Sequence, residues 1–347
     1  MQLSHSPIFT SKHSLTMSKS AFYNSFNSFS YNTYHLNVEG STFKNFLNSA
    51  IFYDSQIVIY DQKYTKRPVS PRLGDTIIIK NAFFIKCIAE VDGGAITHFS
   101  PDSGSLDVSS TTFIECQSGP SPGDGGCIFY SGERSSIGYC CAYRCFCYRD
   151  GHFVSISIRN HKPTDNFLNT TTVLQCSPDS NVQGWQSIYL GWAKIRIQDL
   201  NSTKNNCLIQ SCSWMMHTMD WDAYAKHNQC DSNVGPWVVY FFAKERDGAV
   251  IDSCNFVNNT ATKKGLLCFH TGVTVKNCVI IGNNGEIFSQ NRPESFALVE
   301  NCIFDVPVPQ NAFVTFKGNS YNPKVRELDL AFLHTAVCHA KRDIMSH

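Results

Sequence analysis

Three segments near the carboxyl end of the chain share one pattern: IDSCNFVNN (251–259), VKNCVIIGN (275–283) and VENCIFDVP (299–307). In each segment an apolar residue is followed three positions later by a cysteine, and two positions after that by another apolar residue. The cysteines, Cys254, Cys278 and Cys302, are 24 residues apart. A two-residue spacing is the period of a β-strand whose alternate side chains point to one face. The segments therefore predict equivalent strands in three successive repeats.

The same pattern continues upstream with a longer spacing. The tetrapeptide FIKC (84–87) matches FIEC (113–116), and Gly turns precede a second strand in DGGAI (92–96) and DGGCIF (124–129). Five further cysteines follow one another at steps of 29 or 31 residues: Cys87, Cys116, Cys145, Cys176 and Cys207. Together with the three cysteines downstream, we expect them to form a buried structural ladder.

A repeat of roughly 20 to 32 residues with two or three short strands cannot bury its apolar side alone. Successive coils must stack about 4.8 Å apart through parallel hydrogen bonding. Parallel crossovers are almost always right-handed. The sequence therefore predicts an all-β chain, a single-stranded right-handed parallel β-helix over residues 36–316. Residues 1–35 are expected to form an N-terminal cap or irregular first coils.

The carboxyl end carries a signal for a cap. An open last coil would expose unpaired strand groups, so a solenoid needs its end closed. Asn322 and Pro323 read as an N-cap followed by proline at the first helical position, and apolar residues recur at helical spacing over 325–336. We expect a short capping helix within a C-terminal capping segment, residues 317–347.

Composition limits the partners. Of the 347 residues, 16% are charged, against about 25% in ordinary domains, and the net charge is +1. This balance gives no broad attraction for a polyanion, so nucleic acid is not expected as a partner. No run of about 18 apolar residues occurs, and we expect no membrane span.

The compartment is predicted from the amino terminus and the cysteines. The first 20 residues interrupt every apolar group with Ser, Lys or His, which is unlike a secretory signal. Sixteen cysteines without an export signal favour reduced, buried thiols and a cytoplasmic location. Asn-x-Ser/Thr sequons at Asn169, Asn201 and Asn258 keep secretion or surface display as the alternative.

Candidate catalytic and metal-binding residues are few. Asp92, Asp124 and Asp150 lie in Asp-Gly turns, where capping of the backbone is the simpler role. Four cysteines within residues 140–147 could hold zinc if a loop gathered them, but strand alternation places Cys145 in the buried ladder. We therefore assign no catalytic residue, no metal ligand and no cofactor.

Residues 213–239 interrupt the repeat and are interpreted as an insertion. This stretch concentrates aromatic, histidine and acidic side chains that could form a ligand or partner surface: Trp214, Trp221, Trp237, His217, Asp220 and His227. Exposed aromatic rings suit stacking on sugar rings. The alternative is a loop whose aromatic rings pack back on the flank of the solenoid.

The alternation of Cys-containing strands, Asn-rich turns and Gly-Gly-Ala-Ile strands resembles the right-handed parallel β-helix proteins of the pectin lyase-like superfamily. In detail it is similar to uncharacterised, polymorphic-outer-membrane-protein-like members from parasitic protists. The likeness covers residues 36–316 and depends most on DGGAI, DGGCIF and the 24-residue cysteine spacing. That fold carries enzymes and adhesins alike, so it does not choose a function.

The sequence leaves two functions open. The preferred hypothesis is a non-catalytic structural or interaction protein that presents the faces of a β-helix to an unknown protein or glycan partner. The alternative is a carbohydrate-active enzyme, a polysaccharide lyase or glycoside hydrolase, on the same fold.

Overall fold

A computed structural model describes residues 9–10, 14–55, 74–100, 103–119, 123–158, 165–177, 184–218, 222–243, 249–263, 265–308 and 311–330. Within these ranges the regular secondary structure is entirely β, and every strand pairing is parallel. The strands form three long faces, here called A, B and C, that follow one another along the chain in the repeating order A, B, C. The described chain is therefore a parallel β solenoid, as the repeats predict.

Face A is a sheet of 11 strands. Its strands are Phe9–Thr10, Ser30–Tyr31, Ile51–Asp54, Ile96–Phe99, Ile128–Gly132, Asp150–Ile158, Gln186–Gly191, Ser211–Thr218, Trp237–Ala243, Leu267–Phe269 and Phe288–Gln290.

Faces B and C together make a sheet of 22 strands that bends at a corner. The strands of face B are Ser14–Ser18, His35–Glu39, Thr76–Lys80, Ser105–Ser109, Arg134–Gly138, Ala223–Lys226, Ala249–Asp252, Val273–Lys276, Ala297–Glu300 and Val314–Lys317. The strands of face C are Ala21–Ser25, Thr42–Phe46, Phe83–Ile85, Thr112–Ile114, Cys141–Tyr143, Gln229–Asp231, Asn255–Val257, Val279–Ile281, Ile303–Phe304 and Ser320–Tyr321. Two longer strands run through both faces, Asp165–Leu174 and Lys194–Thr203. Short pairs join Ile88–Ala89 to Gln117–Ser118 and Val234–Gly235 to Thr260–Ala261.

The core consists of columns of stacked apolar residues. Because each strand pairs in register with its equivalent in the next coil, inward side chains lie directly on one another. One inward column of face B is aliphatic and buried from the second coil onward: Val38, Ile79, Val108, Ile137, Leu168, Ile197, Ala225, Ile251, Val275 and Val299. Burial of this continuous apolar interior is the main stabilising contribution to the fold.

Face C carries an aromatic column in its early coils. The rings of Phe43 and Phe84 stack at 4.9 Å between centroids, and those of Phe84 and Phe113 at 5.2 Å. All three side chains are fully buried. Offset aromatic stacking adds to the stabilisation that apolar burial supplies.

The corner between faces B and C depends on residues in the left-handed backbone region. Ser253, Asn277 and Asn301 occupy the corner in three successive coils, with φ values of 53°, 55° and 51°. Asparagine tolerates this region better than most residues. The left-handed turn directs the next residue, a cysteine in each of these coils, into the buried interior.

Those cysteines stand in a column, here called the B–C column. The Cys254 amide donates to Cys278 Sγ at 3.4 Å, and the Cys278 amide donates to Cys302 Sγ at 3.4 Å. The column continues at both ends with asparagine: the Asn228 amide donates to Cys254 Sγ at 3.4 Å, and the Cys302 amide donates to Asn319 Oδ1 at 2.7 Å. Every acceptor side chain in this column thus takes a hydrogen bond from the corner amide of the preceding coil.

A second column, the C–A column, stands at the corner between faces C and A. By register it runs through Cys87, Cys116, Cys145, Cys176, Asn205, Asn233, Asn259 and Asn283. The Cys176 amide donates to Asn205 Oδ1 at 2.9 Å, and the Asn205 amide donates to Asn233 Oδ1 at 2.9 Å. Asparagine can complete such a ladder because it offers an acceptor to one coil and a donor to another.

Seven of the eight expected ladder cysteines are therefore divided between two columns, and the eighth, Cys207, lies in neither. Asn205 occupies the position after Cys176 in the C–A column. Cys207 lies two residues further on, with its Sγ 3.7 Å from Ser187 Oγ. The column position lies 29 residues after Cys176, at Asn205, whereas Cys207 lies 31 residues after it and therefore falls beyond the column.

Residues 213–239 are a regular coil, which corrects the interpretation of this stretch as an insertion. They contribute to strands on all three faces, and those strands pair with the coils before and after them. Residues 219–221 lie outside the described residues. Trp214, His217 and Trp237, which made this stretch look unusual, belong to regular strands of face A.

The two ends differ from expectation in different ways. In the part of 1–35 that the structure describes, strands pair in register with the next coil, as Ser14–Ser18 does with His35–Glu39. At the carboxyl end the described residues 322–330 form a turn and then irregular chain without helix. The Leu328 amide donates to Asn255 Oδ1 at 2.9 Å, which holds this segment against face C. The rest of the expected capping helix lies outside the described residues.

No helix among the described residues is long and apolar enough to cross a lipid bilayer.

We expect the Phe84→Ala substitution to lower the free energy of unfolding by about 3–5 kcal/mol, because it leaves a cavity between two stacked rings. Urea denaturation followed by far-ultraviolet circular dichroism measures the change. Val91→Ala is the control, since Val91 is 55% exposed and its truncation should cost less than about 0.5 kcal/mol. Equal effects of the two substitutions would contradict the stacked column.

Candidate functional site

The outer side of face A carries a row of rings in its later coils. Strand alternation places Met216 and Phe241 in the core, so their neighbours His217 and Phe242 lie on the opposite side of the sheet. The ring of Trp192 lies 4.2 Å from His217, His217 lies 4.3 Å from Phe242, and Phe242 lies 4.1 Å from His270, all between centroids. These four rings, here called the ring stripe, cross successive coils.

Hydroxyl and amide groups flank the ring stripe. Tyr189 Oη lies 3.3 Å from His217 Nδ1, and Tyr240 Oη lies 3.5 Å from His270 Nδ1. Asn291 Nδ2 donates to Tyr240 Oη at 2.9 Å and lies 3.3 Å from His270 Nδ1. The Nδ1 atoms of both histidines are thus engaged within the site, which leaves their Nε2 atoms for other partners.

Both histidines are neutral near pH 7. Burial lowers the pKa of His217 to about 4, with a smaller contribution from the neighbouring His270. Burial also lowers the pKa of His270, and Arg292 acts in the same direction. The Nε2 atoms of His217 and His270 are buried and have no hydrogen-bond partner among the described residues.

The expected surface residues are only partly brought together. His217 and Trp237 lie on the outer side of face A, where Trp237 stacks on Tyr240 at 4.9 Å between centroids. Trp214 instead faces the core, fully buried against Phe256. This placement corrects the expectation that Trp214 lines an exposed surface, because strand alternation sends it inward.

Of the other three expected residues, His227 is described and is not part of this cluster. His227 lies at the B–C corner with φ of 54°, and its Nδ1 is 3.4 Å from Asp199 Oδ1. Asp220 and Trp221 lie outside the described residues.

Sequence reasoning missed most of the ring stripe. Trp192, Phe242 and His270 lie in three different coils and form no motif along the chain. A signal existed in the alternation of each strand, since His217, Phe242 and His270 each directly follow a buried apolar residue. That signal identifies the outer side of a strand but not which coils are neighbours.

The aspartates of the Asp-Gly turns form a stacked ladder. The Asp124 amide donates to Asp92 Oδ1 at 2.8 Å, and the Asp150 amide donates to Asp124 Oδ1 at 3.0 Å. The carboxylates of Asp92 and Asp124 therefore each cap the turn of the next coil. Arg149 pairs with Asp124 through two hydrogen bonds, and Gln186 Nε2 donates to Asp150 Oδ1 at 2.9 Å.

Burial raises the pKa of Asp92 and of Asp150 to about 6. For Asp92, the hydrogen bond from the Asp124 amide and the nearby Arg149 oppose this rise, and the charge of Asp124 adds to it. For Asp150 the charge of Asp124 is the second cause. The ladder thus contains two carboxyl groups that take up protons near pH 6 beside one ion-paired carboxylate.

The four cysteines of residues 140–147 are dispersed. Cys140 lies at the B–C corner, Cys145 belongs to the C–A column, and Cys147 Sγ lies 3.8 Å from His152 Nδ1. Cys141 is disulfide-bonded. The structure therefore does not gather them into the zinc site that the sequence left open.

No protein-family model matches this chain, and no similar curated protein or solved structure was found.

We expect the stability of this protein to respond to the Asp92 carboxyl group between pH 4 and pH 7. The folded-state pKa of Asp92 is about 6, above the ordinary 3.8, so the folded state favours the protonated carboxyl group. This preference contributes stability at low pH, and the contribution is lost as the pH rises through 6. Asp92→Asn keeps the acceptor for the Asp124 amide but cannot ionise. The variant should match the wild type near pH 4 and exceed its free energy of unfolding by roughly 2–3 kcal/mol at pH 7. A difference that stays constant across this range would contradict the assignment.

Proposed function

We propose that this chain is a non-catalytic binding protein that presents face A of a right-handed, pectin lyase-like β-helix to a glycan. The observation that carries the proposal is the ring stripe, Trp192, His217, Phe242 and His270, at 4.1–4.3 Å between successive centroids.

The chemistry of the ring stripe suits a sugar surface. The apolar faces of sugar rings pack against aromatic rings, and their hydroxyl groups need hydrogen-bond partners. Trp192, His217 and Phe242 are partly exposed, and the hydrogen-bonding groups Tyr189 Oη and Asn291 Nδ2 lie beside the two histidines. Rings and polar atoms thus occur on the same side of one rigid sheet.

The charge state favours a neutral glycan. Because burial holds the pKa of His217 near 4, its imidazole carries no positive charge at pH 7 and offers an anionic sugar no ion pair. A rigid sheet also loses little conformational entropy when it binds an extended ligand. An interaction with a protein partner lacks comparable support, since the feature that distinguishes this face is a row of rings with hydrogen-bonding atoms beside them.

Affinity electrophoresis through gels that contain a neutral polysaccharide, with β-glucan, mannan and xylan each tested, measures the interaction. Phe242→Ala removes a ring from the middle of the ring stripe and should weaken binding roughly tenfold, which corresponds to about 1.4 kcal/mol of binding free energy. Tyr23→Ala is the matched control, because Tyr23 is 57% exposed on face C, away from the ring stripe. Affinity should stay constant between pH 6 and pH 8. Failure to bind any of the polysaccharides, or undiminished binding by Phe242→Ala, would contradict the proposal.

A carbohydrate-active enzyme on the same fold is the second candidate, and the aspartate ladder favours it. Glycoside hydrolysis needs a protonated carboxyl group beside an ionised one, and Asp150 with a pKa of about 6 follows the ion-paired Asp124. Release of reducing ends from the same polysaccharides, lost in Asp150→Asn, would support this candidate. Equal rates for Asp150→Asn and the wild type would exclude Asp150 as its acid.

A further inference from the structure

Three thiols from different strands meet inside the solenoid. The Sγ atoms of Cys116, Cys127 and Cys145 all lie within 4.8 Å of one another, and all three side chains are fully buried. Among the described residues this is the one group of three such ligand atoms so closely spaced. We propose that these three cysteines form a binding site for a single Cu(I) ion.

The position of Cys127 makes the group unusual within the repeat. Cys116 and Cys145 are neighbours in the C–A column, and Cys127 faces them from the start of a face A strand. By register, the positions equivalent to Cys127 in the coils on either side are Ala95 and Phe153. Of these three coils, only the middle one therefore adds a third sulfur to the column.

The distances suit a metal with three sulfur ligands. A metal about 2.3 Å from three sulfurs in one plane holds those sulfurs about 4 Å apart. The observed limit of 4.8 Å requires each sulfur to move by less than about 1 Å, which rotation about the Cα–Cβ bond can supply. Parallel pairing holds Cys116 and Cys145 in adjacent coils, and the closure of the coil brings the Cys127 sulfur within 4.8 Å of both of their sulfurs.

The ligand set selects Cu(I) over other metals. Thiolates are soft ligands that favour Cu(I), Zn²⁺ and iron–sulfur clusters. A structural Zn²⁺ site or an iron–sulfur cluster needs four ligands, whereas this group supplies three, because Cys87 and Cys176 lie one coil further along the column on either side. A fourth, water ligand has no polar surroundings here, because the interior is lined with apolar side chains such as Phe113 and Phe153.

The test measures metal content, which is independent of any binding or catalytic activity. The full chain is expressed in copper-supplemented cells and purified without oxygen. A second sample is unfolded and refolded anaerobically with Cu(I), because the buried sulfurs must take up metal as the chain folds. Bound copper is then measured by mass spectrometry after dialysis against a Cu(I) chelator. We expect one Cu(I) per chain in both samples.

Two variants separate the site from the general thiol content. Cys127→Ala reproduces the alanine found at the equivalent position of the preceding coil, so the fold should tolerate it. Because it removes one of three ligands, it should lower Cu(I) affinity by more than the roughly 10–100-fold that loss of an outer-shell partner costs. Cys278→Ala removes an equally buried cysteine from the B–C column and should leave the copper content unchanged. Copper absent from the wild type, or retained equally by Cys127→Ala, would overturn the proposal. A single Zn²⁺ held by the wild type and lost in Cys127→Ala would overturn the choice of metal.

Discussion

The structure depends on in-register parallel hydrogen bonding between equivalent strands of successive coils. This pairing fixes the vertical position of every residue relative to its equivalents, so a side chain that points inward must be compatible with those directly above and below it. The aliphatic column of face B and the stacked rings of Phe43, Phe84 and Phe113 are consequences of this constraint. Stability therefore resides in columns and not in any single coil.

The corners are where the constraint is hardest to satisfy, since a sharp turn leaves backbone amides without strand partners. Left-handed residues such as Asn277 and Asn301 make the turn, and the side chain that follows accepts an amide from the preceding coil. Asparagine accepts through its amide oxygen, a strong acceptor, as Asn233 does from the Asn205 amide. Cysteine accepts through its sulfur, which is a weaker acceptor. The same corner geometry explains why cysteine and asparagine share one column.

Both proposed sites arise because equivalent residues of successive coils stack on one another. On the outer side of face A, stacking brings His217, Phe242 and His270 into a continuous row of rings. On the inner side of the C–A corner, it brings Cys116 and Cys145 together and allows Cys127 to complete a group of three sulfurs. In both places side chains from distant parts of the chain converge because the coils repeat, and no loop is needed to gather them.

The sequence by itself determined that this is an all-β repeat protein with inward cysteines, because the two-residue strand period and the 24-residue spacing of Cys254, Cys278 and Cys302 are local properties of the chain. It could not determine which coils are neighbours in register, because coil length varies and only the hydrogen bonding between coils decides the alignment. For that reason it missed the ring stripe, treated residues 213–239 as an insertion, and assigned Cys207 to a ladder position that Asn205 occupies. The meeting of Cys127 with Cys116 and Cys145 was likewise decided by the tertiary structure alone, since it requires the closure of a coil.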